Sequence, residues 1–230
     1  DKDLPVVAFT DWVFNPEQYP VPDLVFLEFH EQLQSYHWWW DALLQEKMIT
    51  GFAGNDVHQN VLPIEMADGD RPDSYRRMMK WYSNYVYAEK SPKAIKAAIA
   101  AGHLDMVFEI LGSPVGFDFR AVAGEDSWGP GETVPTANRA GLRLVAKRPA
   151  AMIGDASVAV KTRFRVFRIT PEDATMVHET QSDLDFTVPG PGRYRAELFV
   201  SSEHLEPYLK GQPELIHEFP WVYTNPIEVQ

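Results

Sequence analysis

Apolar residues in the first half of the chain come in short runs separated by stretches of helical spacing, and in the second half they alternate singly with polar residues. The runs at 6–10, 24–29 and 48–53, bounded by Pro, Asp or Gly, predict three buried strands. Tyr36, Trp39 and Leu43, with Trp40 and Leu44, recur at i, i+3, i+4 intervals and predict an amphipathic helix over 33–45. Its Trp38-Trp39-Trp40 triplet resembles a ligand platform, but consecutive helical residues point about 100° apart, so packing is the expected role. A shorter helix is expected over 74–82 and a strand over 84–88. Ser91 as N-cap, Pro92 in the first turn, a stripe of Ala94, Ile95, Ala98 and Ile99, and Gly102 as terminator predict the clearest helix of the chain. Residues 104–111 return to a strand pattern.

From Gly112 onward Gly and Pro become frequent and no long helical pattern follows. Phe117 and Phe119 alternate with Asp118 and Arg120, and Leu142 and Leu144 flank Arg143. Val158, Val160, Thr162, Phe164 and Val166 alternate with Lys161, Arg163 and Arg165. After the turn at 189–192, Tyr194, Ala196, Leu198 and Val200 oppose Arg193, Arg195 and Glu197, and 220–227 forms a closing segment. Period-two strands with Gly/Pro turns predict an antiparallel β-sandwich. The expected organisation is therefore an α/β part over 1–112 and an all-β part over 113–230.

Composition narrows the function classes. At 230 residues and 45% hydrophobic, the chain can bury a core. Its formal net charge of −12, from 33 acidic and 21 basic residues, argues against a nucleic-acid surface, which needs clustered Lys and Arg. No apolar run approaches the roughly 18–20 residues that span a bilayer. The absence of cysteine leaves only nitrogen and oxygen donors for a metal. The start at Asp1 without Met suggests a piece of a longer protein, whose N-terminal remainder would be its first partner. The acidic balance and the sandwich suit an exported or cell-envelope location slightly better than a cytoplasmic one, and the compartment stays open.

One stretch, residues 54–60, carries candidate chemistry. Asp56 and His58 are two apart, so in an extended segment they leave the same face and converge on one point, where a divalent metal would fit. They follow the predicted strand 48–53, where sites in parallel α/β folds are built. The plain alternative is an Asp56 cap and a surface histidine. The acidic loop 65–73 does not match the calcium-loop spacing. It is expected to be a solvated loop capping a helix at Asp73 or Ser74, with Ca²⁺ on Asp68, Asp70 and Asp73 as the other reading. His30, His37, His103, His178, His204 and His217 are scattered and expected at the surface or in packing.

Taken together, Trp40-Asp41, Ile49-Thr50-Gly51 and Gly54-Asn55-Asp56-Val57-His58 resemble the helix, strand and final Gly-[Ser/Asn]-Asp-x-His motif of the polymerase and histidinol phosphatase (PHP) superfamily of metal-dependent phosphoesterases. Residues 91–102 resemble the helix that follows that motif. Residues 192–197 and 220–227 look like the sandwich appended in some bacterial members. The resemblance implies the C-terminal part of a distorted β/α barrel plus a sandwich. It implies a divalent metal (Zn²⁺, Mn²⁺ or Fe) in the complete protein, a phosphorylated small molecule as substrate, and Asp56 and His58 as the last ligand pair. One ring nitrogen of His58 would bind metal while an acceptor holds the other. Glu28 matches a barrel-supporting position. The family's opening His-x-His is absent, and Asp11, in Thr10-Asp11-Trp12, stands where many members carry His-Pro, as a further candidate oxygen ligand. Two ligands do not complete a catalytic metal shell, so the chain alone is expected to be inactive. The alternative is a non-catalytic barrel remnant whose sandwich binds a carbohydrate, an envelope polymer or a protein partner.

Overall fold

The computed structural model describes every residue except 1–9, 12–13, 16–20, 33, 56, 61–62, 67 and 210–211. The chain is mostly β, with 34% strand against 25% helix. After a 3-10 helix at Pro22–Phe29 come α1 (Gln34–Glu46), the single turn α2 (Tyr75–Met78), β1 (Ser83–Val86), α3 (Pro92–Ala101) and β2 (Leu104–Val107). Then follow β3 (Ser113–Val115), β4 (Arg120–Ala123), β5 (Asp126–Trp128), β6 (Thr133–Val134), β7 (Arg143–Ala146), β8 (Ala150–Ile153) and β9 (Ala156–Val158). The chain closes with β10 (Thr162–Ile169), β11 (Ala174–Thr180), β12 (Leu184–Thr187), β13 (Gly192–Ser201), β14 (Glu218–Thr224) and β15 (Ile227–Val229).

These strands form three sheets. The largest has eight strands, in the order β1-β2-β14-β13-β10-β11, with β15 pairing both β13 and β6. A second has the order β12-β7-β4-β5, and a third β3-β8-β9. Pairing is antiparallel except between β15 and β6. One core cluster takes Phe119, Ala121, Leu142, Leu144 and Leu184 from around the second sheet and Phe164, Val166, Ala196, Leu198 and Val200 from the first. Each large apolar side chain buried this fully contributes roughly 1.5–3 kcal/mol. The expected alternation is present in β10, whereas residues 194–200 of β13 are buried on both faces, in an arrangement compatible with a sandwich.

The first half departs further from expectation. The strand expected over 6–10 falls outside the described residues apart from Thr10. Residues 24–29 form part of the 3-10 helix, not a strand. Pro22 sets the helical φ at its start, and Leu24 and Leu27, three apart, are both buried. A short apolar run cannot separate strand from buried helix by periodicity alone. The β1–α3–β2 unit closes antiparallel, Ser83 opposite Val107 and Val86 opposite Leu104. Among the described residues no parallel β/α repeat is formed, so the barrel that the resemblance implies is not seen there. The sheet also runs across Gly112, because β2 pairs with β14 and Trp221 Nε1 donates to the Gly112 carbonyl at 2.7 Å.

Local signals served better where the structure is local. In α3, Ser91 Oγ accepts the Ala94 N–H at 3.2 Å, Pro92 opens the helix, and Gly102 ends it at φ 79°. Of the expected stripe, Ala98 is buried and Ala94 and Ile99 are half-buried, whereas Ile95 is exposed. The helix expected over 33–45 is α1, though Trp38 and Trp39 are 65% and 61% exposed, so only Trp40 of the triplet has the packing role. Around 74–82 only α2 is helical, capped by Ser74.

Candidate functional site

Residues 48–53 were expected to be a strand, yet they carry no strand pairing. Two asparagine side chains supply the missing hydrogen bonds. Asn225, fully buried just past β14, accepts the Gly51 N–H at 2.6 Å and donates to the Gly51 carbonyl at 2.9 Å. Asn84 on β1 repeats the pattern, accepting from Ala53 N–H at 2.9 Å and donating to Ala53 O at 2.8 Å. A carboxamide presents one acceptor and one donor at the spacing of a peptide unit, so each amide does what a neighbouring strand would do.

The rest of the segment is equally fixed. Trp40 Nε1 donates to Ile49 O at 3.2 Å, and its ring lies so close that a Cβ on Gly51 would meet Trp40 Cζ2 at 2.6 Å. Only glycine fits between that indole and the Asn225 amide. Tyr82 Oη donates to Gly54 O, and Asn55 Nδ2 donates to Tyr82 O at 3.4 Å. Asn55 Oδ1 is buried and has no hydrogen-bond partner among the described residues.

This clamped segment presents residues 57–60. His58 is exposed, and its Nδ1 pairs with the side-chain oxygen of Asn60. An amide oxygen only accepts, so Nδ1 is the donor of this pair, and in the neutral imidazole Nε2 then offers its lone pair to another partner. Asp56 lies outside the described residues. Asp11 is half-buried and accepts Asn15 Nδ2 at 2.8 Å. Among the described residues no group of three or more His, Asp or Glu could hold a metal ion. His58 is thus a single available nitrogen donor, and the described residues alone do not complete a shell. Glu28, on the 3-10 helix, has its pKa raised by burial and then by the charge of Glu214.

The acidic loop is an arginine-paired cluster. Arg77, 1% exposed, reaches Asp23 at 2.6 Å and also pairs with Asp68. Arg76 pairs with Asp70 at 2.5 Å, and Arg71 with Asp73 at 2.9 Å. Guanidinium groups already occupy the positions that the Ca²⁺ reading assigned to a cation.

A second charged group was missed at the level of sequence. Arg195 and Glu197, on the face of β13 opposite the core, are buried beneath α1. Arg195 donates to both oxygens of Asp41 at 2.7 Å and to Glu197 Oε1 at 2.6 Å, and lies over the Phe167 ring at 4.3 Å. Gln32 Nε2 donates to Glu197 Oε2 at 2.9 Å. The available signal was the i, i+4 pair His37 and Asp41, two polar residues in line with Leu44 at i+7 on the face that packs. Among the histidines, His30 is buried between Phe108 and Phe219, and His204 sets both ring nitrogens against backbone carbonyls at 2.9 Å.

No described helix is long and apolar enough to cross a membrane. Comparison with family models, with curated proteins and with solved structures gives no match to this chain.

Proposed function

We propose that this chain supplies the last ligand pair, Asp56 and His58, of a metal-dependent phosphoesterase of PHP type, with Asp11 as a further oxygen donor and the β-rich remainder as an accessory domain. The observation that carries the reading is His58, exposed at the end of a segment clamped by Asn225 and Asn84, with Nδ1 held by Asn60 and Nε2 left available. Metal-binding histidines use this arrangement, in which an acceptor on one nitrogen sets the tautomer and aims the other. A divalent ion, when bound, would polarise a phosphoryl oxygen and make hydroxide accessible near neutral pH. The chain's own part is positional: the amide clamps fix the rim, Gly51 lets it pass Trp40, and Asn60 orients the imidazole.

The test is metal content and phosphoesterase activity of the longer parent protein, before and after Asp56→Ala combined with His58→Ala. Loss of bound Zn²⁺, Mn²⁺ or Fe together with loss of activity is expected. Retention of both refutes the assignment. Asn60→Ala should weaken metal retention by about 10- to 100-fold while leaving the fold intact.

One observation favours a reading related to the second one, binding without catalysis, but through α1 and not through the sandwich. Trp38 and Trp39 hold their rings 5.1 Å apart on the exposed side of α1, and Tyr36 is also exposed there. Exposed aromatic faces suit stacking on a carbohydrate or contact with a protein partner. Trp38→Ala with Trp39→Ala should then abolish binding to polysaccharide while leaving the unfolding midpoint unchanged.

A further inference from the structure

Asp105 is fully buried in β2, the strand that joins β1 and α3 to β14. Its Oδ2 accepts a hydrogen bond from Tyr87 Oη, and its Oδ1 has no hydrogen-bond partner among the described residues. An ionised carboxylate there would leave one oxygen without solvation or partner, a cost the neutral acid largely avoids. The groups that face it do not offset this. From β1, Tyr85 stands opposite in register, and Tyr87 follows just past the strand. From β14 the register partner is Thr224, uncharged, its Oγ1 already accepting the Ala196 N–H. Asp118 and Arg120 pair with each other at 2.8 Å, and their charges act on Asp105 in opposite directions. His103, just before β2, contributes its carbonyl to the Tyr87 N–H.

The clamp on the candidate segment begins one residue away. Leu104 O accepts both the Asn225 backbone N–H at 3.4 Å and Asn225 Nδ2 at 3.0 Å, and the same carboxamide holds Gly51. Any shift of β2 against β14 at Asp105 is therefore felt at Gly51. Tyr87, 39% exposed, links the buried acid to solvent.

We propose that Asp105 is a proton-operated latch: with its carboxyl protonated the β2–β14 junction and the Asn225 clamp on Gly51 are closed, and loss of that proton loosens both. The buried position holds the carboxyl up to about 7, burial raising it most, with the Tyr87 hydrogen bond working against that rise. The latch rests on how residues 49–55 are anchored and not on what His58 binds.

The experiment uses the full chain between about pH 5.5 and about pH 8.5, an interval chosen to bracket a single titration. Infrared difference spectra report a protonated carboxyl, and hydrogen exchange corrected for intrinsic rates reports opening of 49–55 and 104–107. The wild type should lose a buried carboxyl band and open residues 49–55 about tenfold more at the high end, whereas D105N should show neither change. Y87F, which removes the phenol that donates to the ionised form, should move the midpoint upward. A band loss or exchange profile that persists in D105N overturns the latch. Should D105N fail to fold, an unshifted Y87F midpoint overturns it equally.

Discussion

His30 and Asp105 pull the pH dependence of stability in opposite directions. His30 Nε2 donates to Pro220 O at 2.9 Å, and its burial pushes the ring from 6.5 down to about 4. Below 6.5 the unfolded chain takes up a proton that the folded chain refuses, so this contribution is full above 6.5 and is lost as pH falls toward 4. Asp105 behaves in reverse. Between its ordinary 3.8 and about 7 the folded chain holds a proton that the unfolded chain releases, so stability declines as pH rises through that window. Each amounts to at most about 1.4 kcal/mol per pH unit while fully engaged, and over the shared range the two slopes oppose one another. Relative to wild type, urea midpoints measured across the range should rise more steeply with pH in D105N and less steeply in His30→Gln. Parallel profiles in all three proteins would contradict both assignments. Neither residue announces this in sequence, because burial is set by chain that arrives from more than a hundred positions away.

At the scale of elements, α1 has His37, Trp40 and Asp41 facing inward and Tyr36, Trp38 and Trp39 facing out. Asp41, on its inner face, compensates the buried Arg195 guanidinium together with Glu197. Removing one partner of a buried pair leaves the other charge exposed to a low-dielectric interior, so Asp41→Ala should destabilise by about 3–5 kcal/mol. The checking measurement is chemical denaturation, and a loss below about 1 kcal/mol would mean that the network is hydrated and weak. Ser91→Ala should cost about 1 kcal/mol through the lost cap on α3. The contrast between these elements is instructive about legibility. Cap, first-turn proline and terminal glycine of α3 lie within twelve residues and act on each other directly, so they can be read without the rest of the chain. Residues 24–29 and 48–53 are bounded by Pro, Asp or Gly, which end a strand and a helix alike. The first became a 3-10 helix, and the second is held extended by asparagines 84 and 225, neither of which its own composition could indicate.

Across the whole molecule, the charge is strongly negative but locally neutralised where acids crowd. Asp68, Asp70 and Asp73 are each engaged by an arginine, so the melting temperature should be the same in added Ca²⁺ and in EDTA. A rise with Ca²⁺ would show that the arginines yield to the ion. The sequence by itself determined the alternating strands of the β-rich part, helices α1 and α3, the exclusion of thiolate ligands, and Asp-x-His as candidate chemistry. All of these depend on residue type and near-neighbour spacing. The tertiary structure decided what those signals could not. β2 pairs with β14 across Gly112, and Asn225 serves as the strand partner of Gly51. Arg195 and Asp105 are buried with opposite degrees of compensation. The physical reason is common to these long-range cases: hydrogen-bond satisfaction and desolvation belong to the groups that meet in space, and the partner that settles each residue's state is supplied by a distant segment.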